Sequence, residues 1–164
     1  MEKKYILDQE TAARKIKRLA YEIVERNYNL KHLFFAGIQG PGTTVAKILA
    51  REVMSMSSIK VDLLEVAMDK KNPKTVTIDQ SIGFSGKTIL LIDDVANSGK
   101  TMLYAFLPFL QDQPQGIQTL VLVERTHKAF PVQVDYVGMS IATTLEEHIY
   151  VEIEEGVISG AYLV

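Results

Sequence analysis

The chain has 164 residues, 47% hydrophobic and 23% charged, ordinary proportions for one folded globular domain and not for a disordered chain. A formal net charge of -2 excludes a molecule-wide basic field for non-specific nucleic-acid binding, and the lack of cysteine excludes disulfides, cysteine zinc sites and thiol catalysis. No apolar run approaches the ~20 residues of a membrane-spanning helix, and the opening MEKKYILDQE lacks the apolar core of a signal peptide, so a cytoplasmic protein with no membrane partner is expected.

Asp8 to about Tyr28 reads as an amphipathic helix. Ile16, Leu19, Ala20, Ile23 and Val24 recur on one face of a 3.6-residue period, and Asp8 suits the N-cap. Leu33 to Ile38 is an unalternated apolar run, as in a strand covered on both sides. The loop Gly37 to Gly42 follows, then a helix from about Thr43 with Val45, Ile48, Leu49 and Val53 on one face. Val61 to Met68 is another apolar stretch. Asp69 to about Gln80 is polar and Lys-rich, a mobile loop or short hairpin.

Thr88 to Ile92 is the strongest strand. It ends in Asp93-Asp94, turns through Val95 to Gly99 and enters a helix near Lys100, which Pro108 should kink or divide. Gln118 to Val123 is a fourth core strand, and Tyr136 to Met139 and His148 to Ile153 are later, shorter ones. The alternation predicts one α/β domain: an open, mostly parallel twisted sheet flanked by helices, with right-handed crossovers.

In such sheets ligands bind beyond the carboxyl ends of the strands. Asp93 to Thr101, DDVANSGKT, lies at such an end. Its second half suits a phosphate, through the backbone N–H groups opening a helix and the Ser98 and Thr101 hydroxyls. Its first half does not, because carboxylates repel phosphate. Two adjacent carboxylates suit a vicinal diol instead, so the whole loop fits a sugar phosphate. A nucleoside-triphosphate P-loop requires Gly where Asp94 stands. The plain alternative is an acidic turn after a buried strand. The sugar-phosphate reading requires carboxylates open to a ligand rather than buried in ion pairs.

An apolar strand, two acidic residues, a few variable ones and then Ser-Gly-x-Thr resembles the phosphoribosyl-pyrophosphate motif of type I phosphoribosyltransferases. The resemblance extends over nearly the whole chain to the pyrimidine operon attenuator/uracil phosphoribosyltransferase group. Ala20 to Asn27 resembles its opening helix, Gly37 to Lys47 its pyrophosphate-loop segment, and Val123 to Gly138 its long V-D-R-G-H-R-x-L-P-x-x-x-D-Y-V-G region. It implies the type I fold over residues 1–164, with a core at about 30–125 and a small hood from the N-terminal residues and about 126–164.

The resemblance also implies transfer of phosphoribosyl from phosphoribosyl pyrophosphate to a nucleobase, uracil first, with Mg²⁺ and release of pyrophosphate. Asp93 and Asp94 become the candidate catalytic pair, holding the ribose diol and touching the metal indirectly through substrate and water. Ala96, Asn97, Ser98, Gly99, Lys100 and Thr101 would hold the 5′-phosphate. Gln39 and Gly40 would form the pyrophosphate loop, and Val137, Gly138 and Met139 the base pocket. Asp69 to Gln80, with Lys70, Lys71 and Lys74, takes the place of the flexible lid. A homodimer or larger homo-oligomer is implied as well.

The sequence departs from the group at Gln39 and Pro41, where basic residues are usual, at Asn97, where Tyr or a purine-type Asp is usual, and at Met139, often Lys. Gln133, Lys17 and Tyr21 depart from the RNA-binding face of the attenuators, which counts against RNA as a partner. Two other functions remain open: a nucleotide-sensing RNA-binding regulator of pyrimidine genes with little catalysis, and a hypoxanthine-type purine phosphoribosyltransferase.

Overall fold

A computed structural model describes residues 3–78, 82–144 and 146–164. Strand β1 (Lys4–Asp8) runs directly into helix α1 (Gln9–Arg26). Asp8 makes the junction, its carboxylate accepting the Thr11 N–H at 2.7 Å and satisfying an N–H that has no partner within the helix. Ala12, Ile16, Leu19, Ala20 and Ile23 are buried along one face, as the periodicity predicts.

Then come β2 (His32–Ile38), α2 (Pro41–Met56), β3 (Lys60–Met68), β4 (Val76–Ile78) and β5 (Thr88–Ala96). Next are α3 (Lys100–Ala105), α4 (Leu107–Leu110), β6 (Gly116–Arg125), β7 (Tyr136–Ile141), β8 (Ile149–Glu154) and β9 (Val157–Leu163). Pro108 does divide the helical stretch, with the break at Phe106. The polar 69–80 stretch is in part a hairpin, β4 pairing antiparallel with β3. Its last residues, Asp79 and Gln80, lie outside the described residues.

One six-stranded sheet has the order β4-β3-β2-β5-β6-β7 and is parallel from β3 to β7. Successive residues of its inner strands go to opposite faces. Phe35, Leu90, Ile92 and Leu122 join α1 and α2 in one core, while Phe34, Leu91 and Val121 join Met102, Ala105 and Phe109 in another. This is the doubly covered α/β architecture expected from the apolar runs.

A second, smaller sheet, β1-β9-β8, is antiparallel and is termed the hood; β7, inside the 126–164 stretch expected for the hood, belongs to the large sheet. Neither β1 nor β9 is foreseen by the sequence reading. The two ends of α1 are tied to the rest of the molecule, one through β1 and one through Asn27. That buried side chain donates to the Ile23 carbonyl at 2.8 Å, to Gln118 Oε1 at 3.1 Å and to the Tyr136 hydroxyl at 3.1 Å.

Candidate functional site

The central parallel strand sets the site. β5 continues four residues past Ile92, because Asp93, Val95 and Ala96 still pair with β6 at Val121, Val123 and Glu124. Asp93 and Asp94 therefore sit on the strand's end, and the expected turn over Val95–Gly99 begins at Asn97 instead. Helix α2 presses against them from the neighbouring crossover. A Cβ on Gly42 would stand 2.9 Å from both Asp93 Oδ1 and the Ile92 carbonyl, so this close approach requires glycine.

A cavity of about 280 Å³ opens at this end of the sheet. Asp93, Asp94, Ala96, Asn97, Ser98, Gly99 and Thr101 line it together with Pro41 and Lys70, and from the hood Ile149, Tyr150 and Val151. The phosphate-loop candidates thus come together, except Lys100, which is outside the lining. Gln39 and Gly40 are exposed at the start of α2, next to the cavity-lining Pro41. The Gln39 N–H donates to the Val66 carbonyl at 2.9 Å, and Gly40 has φ 97°, a left-handed value that favours glycine.

The 97–101 turn is supported from outside. The Ser98 carbonyl accepts the N–H groups of Ala129 at 3.1 Å and Phe130 at 3.0 Å. Gly99 has φ 81°, and a Cβ there would stand 3.3 Å from the Phe130 carbonyl. Among the described residues, no acceptor meets the N–H groups of Ser98 and Gly99. They are available to an anion.

The carboxylates are not bare. Lys70 Nζ lies 3.1 Å from Asp93 Oδ1 and 3.9 Å from Asp94 Oδ1. The requirement of carboxylates open to a ligand is therefore not met as stated, since both side chains are buried and share an ion pair. The partner, however, comes from the 69–80 stretch, and its side chain is 40% exposed. It lines the cavity without filling it. Burial first, and the Asp94 charge second, push the Asp93 carboxyl well above the usual carboxylate range, against the pull of Lys70.

The proposed base-pocket residues Val137, Gly138 and Met139 do not line the cavity. They lie on β7, at the far edge of the sheet, with the Val137 and Gly138 carbonyls accepting from Arg18 at 2.9 and 2.8 Å. A Cβ on Gly138 would stand 2.4 Å from the Leu122 carbonyl, so that glycine serves the close contact of β7 with β6. The hood residues that do line it, Ile149, Tyr150 and Val151, were read only as a strand. Two of these side chains are aliphatic and one is a phenol, and nothing in that set marks them as facing a ligand.

Among the described residues, no three His, Cys, Asp or Glu side chains gather as metal ligands. Two adjacent carboxylates fit contact with a metal that arrives on its substrate, and do not make an all-protein cage. Three basic side chains of α1 and of the segment after β6 are held in ion pairs. Lys128 pairs with Glu124 at 2.7 Å, Arg14 with Glu10 at 2.8 Å, and Arg18 with Glu22.

A mostly parallel sheet with a small second sheet, and an acidic loop with Ser-Gly-x-Thr after its central strand, are the features of the phosphoribosyltransferase class. The chain belongs to the phosphoribosyl transferase domain family, which matches residues 3–156. Within it, the resemblance to the pyrimidine operon attenuator group holds. The chain is 33% identical to "Bifunctional protein pyrR" of Enterococcus faecalis, over 94% of this chain and 92% of that protein. It is likewise 33% identical, over the same shares, to "Pyrimidine operon regulatory protein" of Lactococcus lactis. In fold it is similar to the hypoxanthine phosphoribosyltransferase of Trypanosoma cruzi, with TM-score 0.81 at 15% identity over 98% of this chain and 95% of that one. Among the described residues no helix is long and apolar enough to cross a membrane.

Proposed function

We propose that the protein transfers the phosphoribosyl group of phosphoribosyl pyrophosphate to a nucleobase, uracil by preference, in the cytoplasm. One observation carries this reading: Asp93 and Asp94 open on the same cavity as the unmet N–H groups of Ser98 and Gly99. The carboxylates suit the ribose diol and the N–H groups the 5′-phosphate. Thr101 adds a hydroxyl. Pro41 brings the first turn of α2 to the cavity wall, where peptide N–H groups favour the anionic pyrophosphate. The names of the relatives support a pyrimidine.

In this reaction the bond from the anomeric carbon to pyrophosphate breaks and a bond to a base nitrogen forms, with loss of the proton on that nitrogen. With Mg²⁺ carried in on the substrate, Asp93 and Asp94 would meet the ion only through substrate and water, and it would supply charge to offset that of the departing pyrophosphate. Asp93 and Asp94 hold the diol so that the anomeric carbon faces the hood. The loop N–H groups fix the other end of the sugar, so the protein contributes chiefly orientation. Lys70 must release the carboxylates when the diol enters. Its loop position lets it move toward the pyrophosphate, where Gln39 and Pro41 supply no cation.

Calorimetry with phosphoribosyl pyrophosphate and Mg²⁺ is the test, followed by turnover with uracil against hypoxanthine and guanine. Binding that is abolished in the double variant Asp93→Asn, Asp94→Asn is the expected result. No binding at millimolar ligand, or unchanged binding in the variant, overturns the assignment. Preferred turnover of hypoxanthine would move it to the purine class.

The uncharged pyrophosphate loop, with Gln39 and Pro41, favours one second reading: a nucleotide-sensing regulator that binds RNA and turns over little substrate. Gel shifts with leader RNA of pyrimidine genes, with and without uridylate, separate the two. Nucleotide-dependent RNA affinity without turnover supports the regulator. A homodimer or larger assembly is part of the proposal. Exposed Leu107 and Leu110 on α4 support it, and light scattering on the purified chain checks it.

A further inference from the structure

The hood sheet leaves β8 at its edge, and β8 residues line the cavity. Its register fixes which peptide groups face that edge. His148 and Val164 exchange both hydrogen bonds, at 2.8 and 3.1 Å. Neighbouring pairs of an antiparallel ladder alternate between bonded and non-bonded. Ile149, opposite Leu163, therefore turns its N–H and C=O away from β9.

Ile149 is buried, so both groups need partners. One side chain meets both. Asn97 Oδ1 accepts the Ile149 N–H at 3.2 Å, and Asn97 Nδ2 donates to the Ile149 carbonyl at 3.3 Å. An amide side chain carries a donor and an acceptor side by side, as a peptide group does, so Asn97 takes the place of one residue of a neighbouring strand. Two residues on, Val151 pairs with Ala161 in the same register and turns its N–H and C=O to the same edge. Among the described residues neither group finds a partner. The clamped edge thus carries an unmet donor and acceptor on a cavity-lining residue.

We propose that the Asn97 side chain is a positioning residue that pins the open edge of the hood to the phosphate loop. It holds the Ile149–Val151 wall at a fixed height above Asp93 and Asp94. Asn97 belongs to the turn that follows β5, so this one amide couples the two sheets at the cavity. Its side chain is spent on β8 and is not a base-contacting group. Its main chain remains with the phosphate loop. This deepens the phosphoribosyltransfer reading and rests on it for the identity of the ligand that the wall meets.

Asn97→Ala, read by amide exchange and by steady-state kinetics, is the experiment. Exchange of the Ile149 amide is expected to speed up by at least about tenfold, and KM for the nucleobase to rise by about tenfold, the scale of a misplaced contact. KM for phosphoribosyl pyrophosphate should change much less, because the loop N–H groups remain. Asn97→Asp keeps the acceptor and loses the donor, and should leave the Ile149 amide more protected than Asn97→Ala does. Unaltered Ile149 exchange in Asn97→Ala overturns the clamp. Faster exchange with equal rises in both KM values, or with none, overturns the positioning role. If the unaltered protein binds no phosphoribosyl pyrophosphate, the transferase reading itself falls, and the clamp is then judged on Ile149 exchange alone.

Discussion

Asp93 is buried beside a second carboxylate and is compensated by one cation, Lys70. That arrangement has a definite pH signature. The carboxyl has an ordinary value of 3.8 and is held well above it in the folded protein. Between the two values the unfolded chain has lost its proton while the folded chain still carries it. Unfolding then releases a proton, and stability falls as pH rises through that window, with a slope of at most about 1.4 kcal/mol per pH unit for one group. Urea denaturation across a pH series is expected to show this fall and to show it removed in Asp93→Asn. A slope unaltered by that substitution would assign the effect elsewhere. The residue types at this spot were legible from sequence, because the motif is local and its chemistry lies in side chains. The Lys70 contact was not. A lysine 23 positions before Asp93 could be recognised as part of a lid, but its distance from the carboxylates depends on how the β3–β4 hairpin leans over the sheet.

The contact of α2 with β5 shapes the site at the scale of elements. Replacing a helical glycine by alanine ordinarily gains about 1 kcal/mol. At Gly42 the new methyl would stand 2.9 Å from the Ile92 carbonyl and from Asp93 Oδ1, and overpacking of this kind costs about 1–3 kcal/mol. Gly42→Ala is therefore expected to destabilise the fold in urea titrations and to weaken phosphoribosyl pyrophosphate binding in calorimetry. A net gain in stability would mean that α2 shifts freely. The same element shows where sequence reading works. α1, α2, β2 and the start of β5 carry their periodicity and caps within a few residues. The end of β5 was misread as a turn because acidic residues usually leave a strand, and here β6 continues alongside to hold them in it. β1 and β9 were invisible for a different reason. Each is defined by its partner, and Lys4 pairs with Leu163 across nearly the whole chain. The motif locates β7, while the strand whose residues line the cavity is β8.

At the scale of the whole molecule, two sheets share one cavity. The large sheet, with the turn after β5, contributes Asp93, Asp94 and the unmet N–H groups of Ser98 and Gly99, and the antiparallel one contributes the Ile149–Val151 wall with its peptide edge. They differ in how their strands find each other. In the large sheet β2 and β3, β5 and β6, and β6 and β7 are consecutive strands in sequence and only α2, β3 and β4 intervene between β2 and β5, whereas β9 must pair with β1 from the far end of the sequence. Closing long loops is entropically costly and slows folding. Amides of β2, β5 and β6 are therefore expected to gain protection before those of β9 in pulse-labelled refolding, and simultaneous protection would contradict this order. On that order the floor of the cavity would be complete before its ceiling arrives, and under the proposed transferase reading a half-assembled chain would bind an anion before it could discriminate between flat ring partners.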